Sequence, residues 1–340
     1  MNIKDIARIS GYSVGTVSRV LNSSSNVSQK AHDQVMGVVD KYHFEPNANA
    51  RSLKRIDTHS IAVMVKGRYN PLFANILEKL HTYLDMRGED VYVAYLDEDE
   101  NEVQFALRYQ KAHNPRGIVF LGGELEYFKQ DFCQIVCPCV VITNSTQTLP
   151  FANLSCVLTN DGQASSDIVD VLIQAHHSKI AVIGGNLSQG QISLRRLSGA
   201  IRRCAQAKIP FDMSLQYEPC HFSMREGYDA LLRVLKRVPQ TTAIFALGDV
   251  IAIGVMRALR DIGKSVPQDI SLVGFDGIES SQFCIPRLTT VRQDTTRLAE
   301  RGAAILLSMI EGTSRGSVCE IVDHTVLKGE TVKNLSELDN

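Results

Sequence analysis

Two aspartates stand directly beyond short apolar runs: Asp249 follows AIFALG and Asp276 follows SLVGF. Such runs read as strands buried on both faces, and in open α/β sheets ligands bind outside the carboxyl ends of the strands. A carboxylate placed there can bond two neighbouring hydroxyls, which is what a polyhydroxylated ligand requires. Capping of the following helix is the alternative role for such an Asp, and for Asp249 both stay open. Asn144, Asn160 and Asp161 are further polar residues of this kind.

The other reactive side chains are not arranged for catalysis. No G-x-G-x-x-G follows a strand, GGNLSQGQ (184–191) lacks the Lys-Ser/Thr of a phosphate loop, and no G-x-S-x-G occurs. His176 and His177 are adjacent, so on a helix end they diverge by about 100° and cannot share a metal as an i, i+4 pair can. Eight cysteines fall at irregular spacings, and the densest group, Cys133, Cys137 and Cys139, lies in an apolar run with no second ligand pair nearby. Reduced core thiols are the reading. A non-enzyme without metal or cofactor is expected.

The elements that must position the aspartates follow from the alternation of pattern beyond residue 58. Apolar runs at 61–65, 91–96, 118–121, 140–143, 180–184, 243–247 and 271–275 alternate with helical stretches near 72–87, 100–113, 162–175, 195–207, 225–237 and 249–262. That is a parallel α/β layout. A chain of 340 residues, 44% of them hydrophobic, can bury more than one core. No stretch approaches the roughly 18 apolar residues of a membrane span. Lys4, Asp5 and Arg8 interrupt any signal-peptide apolar region, so a soluble, cytoplasmic protein is expected.

Net charge is −1 but uneven: residues 1–55 hold eight Lys/Arg against four acids, a basic head before an acidic body. Either a polyanion-binding head or a mildly basic surface would give this balance. Asn2 can cap a helix whose Ile3, Ile6 and Ala7 share a face and which Gly11 ends. Ser13 then caps a second helix with Val17, Val20 and Leu21 inward and Val14, Gly15, Ser18, Arg19 and Asn22 outward. Ser28 caps a third, whose Ala31, Val35, Val38, Val39 and Tyr42 fall at helical spacing. A helix-turn-helix of this kind can lay its second helix in the major groove, though hairpins of this size also serve as plain structural elements.

Residues 3–54 closely resemble the N-terminal head of the lactose-repressor (LacI/GalR) family, through IKDIA, GYSVGTVSRVLN, VS and PNANARSL in the same order and spacing. The rest of the chain looks like that family's two-lobed core, akin to periplasmic sugar-binding proteins, with TTVRQD (289–294) at a return crossover. The resemblance implies an α/β fold class: a small all-α head plus hinge helix, then a two-lobed core with parallel sheets. Its implied divisions are a head at 1–45, a hinge helix and linker at 46–57, an N-terminal lobe at 58–159 plus 289–319, and a C-terminal lobe at 160–288 plus 320–333.

The same resemblance carries DNA contacts onto Ile3, Lys4, Ser13, Val14, Gly15, Thr16, Ser18, Arg19, Asn22, Asn26 and Ser28 in the head. In the hinge it carries them onto Asn47, Ala50, Leu53 and Lys54, with Leu53 as the leucine wedge that enters the minor groove. It makes Arg196, Asp249 and Asp276 effector contacts, with Phe73 and Phe222 lining the cleft and Asn144 and Asp161 as further candidates. The implied function is a repressor that binds a pseudo-palindromic operator as a homodimer under control of a small molecule, a sugar or sugar derivative. A purine- or other metabolite-responsive corepressor system is the alternative. A stand-alone binding protein would need a signal peptide and no basic head, and an enzyme would need a cofactor or nucleophile motif. SELDN carries no leucine heptad, so a dimer rather than a tetramer is expected.

Departures from the family pattern are local. Tyr12 stands where a small aliphatic is common. Gly15 takes a position that usually bears a side chain, costing about 1 kcal/mol of helix propensity relative to Ala. Val14 and Gly15 lie where the family reads bases, so methyl contact and close approach are expected to replace hydrogen bonds there. His176 stands where the family usually has Gly, and Thr143 where it often has Asp.

Overall fold

The computed structural model describes residues 3–21, 27–42, 60–67, 70–187, 192–314 and 316–338. Two compact units divide the chain, residues 1–57 and 58–340. Within the first, α1 (Ile3–Ser10), α2 (Val14–Leu21) and α3 (Gln29–Lys41) enclose a core of Ile6, Ala7, Val17, Val20, Val35 and Val39. Gly11, at φ +72, makes the turn between α1 and α2. Ser13 and Ser28 accept from the amides of Thr16 (3.2 Å) and Ala31 (3.4 Å), capping α2 and α3. Tyr42, expected on the inner face of α3, is exposed instead, because the helix ends at Lys41 and Tyr42 is its cap residue. Asn2 lies outside the described residues.

The second unit is built from two six-stranded sheets. Along the chain come β1 (Ile61–Lys66), α4 (Pro71–Asp85), β2 (Val91–Leu96), α5 (Glu102–His113), β3 (Gly117–Leu121), α6 (Leu125–Asp131), β4 (Cys139–Ile142) and β5 (Leu154–Thr159). Next are α7 (Asp161–Gln174), β6 (Ile180–Ile183), α8 (Ile192–Gln206), α9 (Met213–Gln216), β7 (Tyr217–Glu218), α10 (Met224–Arg237), β8 (Ala243–Ala246), α11 (Asp249–Asp261) and β9 (Ser271–Asp276). The last are α12 (Glu279–Phe283), β10 (Thr289–Gln293), α13 (Thr295–Ile310), β11 (Cys319–Val322) and β12 (His324–Leu327).

The sheet orders are β11-β5-β4-β3-β1-β2 and β12-β10-β9-β8-β6-β7. Every pairing is parallel except that of β10 with β12. Helices on both faces explain why β3, β4, β6 and β8 are apolar and buried throughout rather than alternating.

The chain crosses between the sheets after β5, after β10 and between β11 and β12. The sequence reading sets the later crossings at 289 and 320, and the structure moves both. Thr289 pairs with Val273 in the second sheet, and Cys319 pairs with Cys156 in the first, so the chain crosses after Gln293 and after Val322. Apolar patterning marks a strand but not which sheet it joins. Among the described residues no helix is long and apolar enough to cross a membrane.

Close helix packing sets the positions that matter for the site. Gly199 on α8 lies so near α7 that a Cβ there would stand 2.2 Å from the carbonyl oxygen of Gly162. At the far end of α7, His176 holds the left-handed conformation at φ +64, and the amide of His177 returns to the Leu172 carbonyl at 3.0 Å. The cap therefore forms without glycine. His177 is buried, with Nδ1 3.0 Å from Thr242 Oγ1 and Nε2 3.1 Å from the Lys333 carbonyl, and burial lowers its pKa. An L side chain in the left-handed region costs roughly 1–2 kcal/mol, part of which glycine returns through its freer unfolded chain. His176→Gly is accordingly expected to stabilise this unit by up to about 1 kcal/mol, while His176→Ala gains nothing; urea midpoints at unchanged slope measure both.

Candidate functional site

The carboxyl ends of both sheets face a cleft of about 280 Å³. The N-terminal lobe contributes Lys66, Asn70, Phe73, the Asp97–Asp99 loop, Gly122–Glu124 and Thr143, and the C-terminal lobe contributes Asn186, Ser193, Arg196, His221–Ser223 and Asp276. Four residues expected from the sequence therefore line it: Phe73, Arg196, Phe222 and Asp276. Gly122 and Gly248 leave room for the two phenyl rings, since a Cβ at either would come within 3.0 Å of Phe73 or Phe222.

Arg196, on the first turns of α8, is buried and fixed from several sides. Its Nε donates to Asp161 Oδ1 at 2.8 Å, and its Nη1 donates to the Leu247 carbonyl at 2.6 Å and lies 3.2 Å from Asp276 Oδ1. The guanidinium also stacks over the Phe275 ring, 3.7 Å from its centroid. Asp276 accepts a further bond from Gln293 Nε2 at 2.9 Å. Burial raises the Asp276 pKa to about 6 against the opposing pull of Arg196 and Gln293. Asp161 is raised by burial as well, with Arg196 again opposing.

Three expected contacts sit behind the cleft wall rather than on it. Asp249 is fully buried: Oδ1 accepts from Thr290 Oγ1 at 2.5 Å and Oδ2 from the Ile278 amide at 2.9 Å. It is the first residue of α11 after the cap position Gly248, so it neither lines the cleft nor caps the helix; it holds the Gly277–Ile278 turn that follows Asp276. Burial, then the nearby Asp276 charge, pushes its pKa well up. Asp161 holds Arg196. Asn144 donates to the Gly123 carbonyl at 3.0 Å and accepts from the Ser145 amide at 2.9 Å, bracing the Gly122–Glu124 loop. All three were legible as strand-end polar residues, but spacing does not distinguish a wall from its support. Asn160 caps α7 through the Gln163 amide.

Sequence reasoning passed over several cleft residues. Lys66 pairs with buried Glu102 at 2.7 Å, and the other Glu102 oxygen accepts from the Glu124 amide at 2.6 Å. His221 Nδ1 of the C-terminal lobe lies 3.3 Å from Glu98 Oε2 of the N-terminal lobe. Thr143, buried at φ +84, has a hydroxyl with no partner among the described residues. Its place just beyond β4 was the available signal.

In the head, Ser13, Val14, Gly15 and Arg19 are exposed and Thr16 is half-buried. Ser13 Oγ lies 3.0 Å from Thr16 Oγ1, and Arg19 Nε donates to the Gly15 carbonyl at 3.2 Å. A Cβ at Gly15 would meet nothing closer than 3.8 Å, so that position is open. Ser28 is spent on its cap. Ile3 and Lys4 are on α1 and Ser18 is on α2. Asn22, Asn26, Asn47, Ala50, Leu53 and Lys54 lie outside the described residues.

The two units match two family models. Residues 2–47 match the bacterial regulatory proteins of the lacI family, and residues 169–332 match a periplasmic binding protein-like domain. The HTH-type transcriptional regulator MalR of Clostridium butyricum is 31% identical over 316 residues, covering 91% of this chain and 93% of the relative. The ribose operon repressor of Haemophilus influenzae is 28% identical over 333 residues, covering 98% and 99%. Among solved structures, the complex of the transcriptional regulator CelR with cellobiose superposes with a TM-score of 0.71 at 23% identity, covering 97% of this chain and 99% of that one. With a helix-turn-helix head, a two-sheet core and a relative matched along nine-tenths of both chains, this chain belongs to the lacI family of bacterial regulatory proteins and is a transcription regulator, not an enzyme.

Proposed function

We propose that this regulator is a cytoplasmic repressor that binds a pseudo-palindromic operator as a homodimer and takes a sugar or sugar derivative in the cleft. The observation that carries the effector reading is Asp276 beside Arg196, with Phe73 and Phe222 presented from the two lobes of the same cleft. An ion pair offers acceptors and donors to vicinal hydroxyls, and phenyl faces pack against the apolar face of a pyranose or furanose. Similarity to a ribose operon repressor and to a cellobiose-bound regulator supports that chemistry. Asp161, Asp249 and Asn144 act as positioning residues behind it. In the head, Ser13, Val14, Gly15, Thr16, Ser18 and Arg19 are the base- and phosphate-facing residues, with Ile3, Lys4, Asn22, Asn26, Ser28 and the hinge residues Asn47, Ala50, Leu53 and Lys54 completing the contact set.

A thermal-shift screen of the full chain against ribose, cellobiose, other neutral sugars and phosphosugars tests the effector class. A ligand at 100 times its dissociation constant stabilises by about 2.7 kcal/mol; a screen in which no sugar shifts the melting point while a purine base does would overturn the sugar reading.

With the sugar found there, Phe222→Ala should weaken its binding roughly tenfold, the order of one lost ring contact, while leaving operator affinity unchanged; calorimetry and gel shift read the two arms.

The raised Asp276 pKa gives the binding a pH dependence. A carboxyl raised from 3.8 to about 6 on folding contributes stability that is fully present below pH 3.8 and lost as pH rises through about 6. A hydroxylated ligand, by contrast, is held by the carboxylate. Sugar affinity should therefore rise from pH 5 toward pH 7 as that site ionises, and a flat calorimetric profile across this window would remove Asp276 from the contact set.

For DNA, Leu53→Ala should abolish operator bending and weaken specific binding while sparing weak salt-sensitive binding to random duplex. Gel-shift and circular-permutation bending assays distinguish this from equal bending by both proteins.

A further inference from the structure

Cysteine chemistry is left unused by the effector cleft and the DNA-reading face. Strands β5 and β11 are parallel neighbours, and in their register Cys156 stands directly opposite Cys319. Neighbouring strands run about 4.8 Å apart, inside the roughly 4.4–6.8 Å window of Cα separations that a disulfide spans. Cys156 Sγ accepts from the Thr146 amide at 3.3 Å. Cys156 is fully buried, whereas Cys319 is half-exposed on the edge strand. Three residues beyond Cys319 the chain leaves this sheet: β11 ends at Val322 and β12 begins in the other sheet at His324.

We propose that Cys156 and Cys319 are an oxidisable dithiol, whose disulfide fastens edge strand β11 to β5 beside the last crossing between the lobes. Its neighbour Cys319, with Thr146 and Ser145, eases ionisation of the Cys156 thiol, while Cys156 and burial hold Cys319 up. Arg195 of the C-terminal lobe adds positive charge near Cys319. The co-reactant is a hydroperoxide. Cys319, the sulfur within reach of solvent, gives up its proton to solvent and attacks one peroxide oxygen. The O–O bond breaks, hydroxide leaves and a sulfenic acid forms on Cys319. Cys156 then attacks that sulfur, the S–O bond breaks, and the departing hydroxide takes the thiol proton as water. Two thiols are oxidised to one disulfide while the peroxide oxygens end as water and hydroxide.

Cys137 and Cys139 are a second neighbouring pair. They are two residues apart along one chain segment, about 6.6 Å if extended, at the limit of a disulfide's reach. Cys133 is exposed.

The test uses the reduced full chain carrying Cys133→Ser, which removes the exposed competitor, treated with hydrogen peroxide. Remaining thiols are alkylated in denaturant, and the peptides are mapped by mass spectrometry. The expected result is loss of two alkylatable thiols and appearance of a Cys156–Cys319 linked peptide, reversed by dithiothreitol and absent from Cys319→Ser. In Cys156→Ser the sulfenic acid on Cys319 has no partner and should be captured by dimedone. Full alkylation of both cysteines after treatment, oxidation of Cys319 beyond the sulfenic stage without linkage, or a different linked pair would each overturn the proposal.

Discussion

A single buried guanidinium organises the ligand-facing side of the C-terminal lobe. Arg196 ties together the start of α7 through Asp161, the end of β8 through the Leu247 carbonyl, and the end of β9 through Asp276. Burying this charge is costly on its own, and two carboxylates and a carbonyl offset that cost. Removing one member leaves the others buried and unpaired, a loss of about 3–5 kcal/mol. The positions of α8 and of the strand ends therefore depend on one another, and the contact between Gly199 and Gly162 is what brings α8 near enough to α7 for Arg196 to reach Asp161.

The cluster also explains why the acids here differ in role although they look alike in sequence. Asp161 and Asp276 share Arg196, whereas Asp249 satisfies itself with Thr290 and the Ile278 amide. Asp276 alone combines the arginine with a place on the cleft wall, at φ +113 and followed by Gly277 at φ +70. Burial raises all three acids, and the nearby Asp276 charge raises Asp249 further. An effector's hydroxyl donors would relieve the least-satisfied oxygens in this group.

Much of this was legible from residue patterns. Continuous apolar runs located β1, β3, β4, β6, β8 and β9, because strands covered by helices on both faces have no polar alternation to blur them. Apart from β2, an edge strand located by its run at 91–96, the edge and near-edge strands were not readable in the same way. Leu154–Thr159 mixes Ser, Cys and Thr with its aliphatic residues, and Cys319–Val322 and His324–Leu327 are short and half-exposed. In the site, Asp276 was marked by its place at a strand end, while Arg196, Phe73 and Phe222 were reached through resemblance to the family. Glu98 with His221 and Lys66 with Glu102 depend on pairings between residues distant in sequence, which no local pattern encodes.

The three crossings between the sheets bear on the order in which the chain can fold as it is made. The first sheet has β1 to β5 by residue 159, yet its edge strand β11 and helix α13, which packs on β3, β4 and β5, come only after most of the second sheet has been synthesised. Until then one face of β4 and β5 lacks its cover, and buried side chains such as Val140, Ile142 and Val157 await Ala299, Ala303 and Leu306. The second sheet is nearly complete sooner, needing only β12 after β10. The lobe that begins first on the ribosome is thus unable to finish before its neighbour is largely formed, and its open sheet is the surface most in need of protection during synthesis.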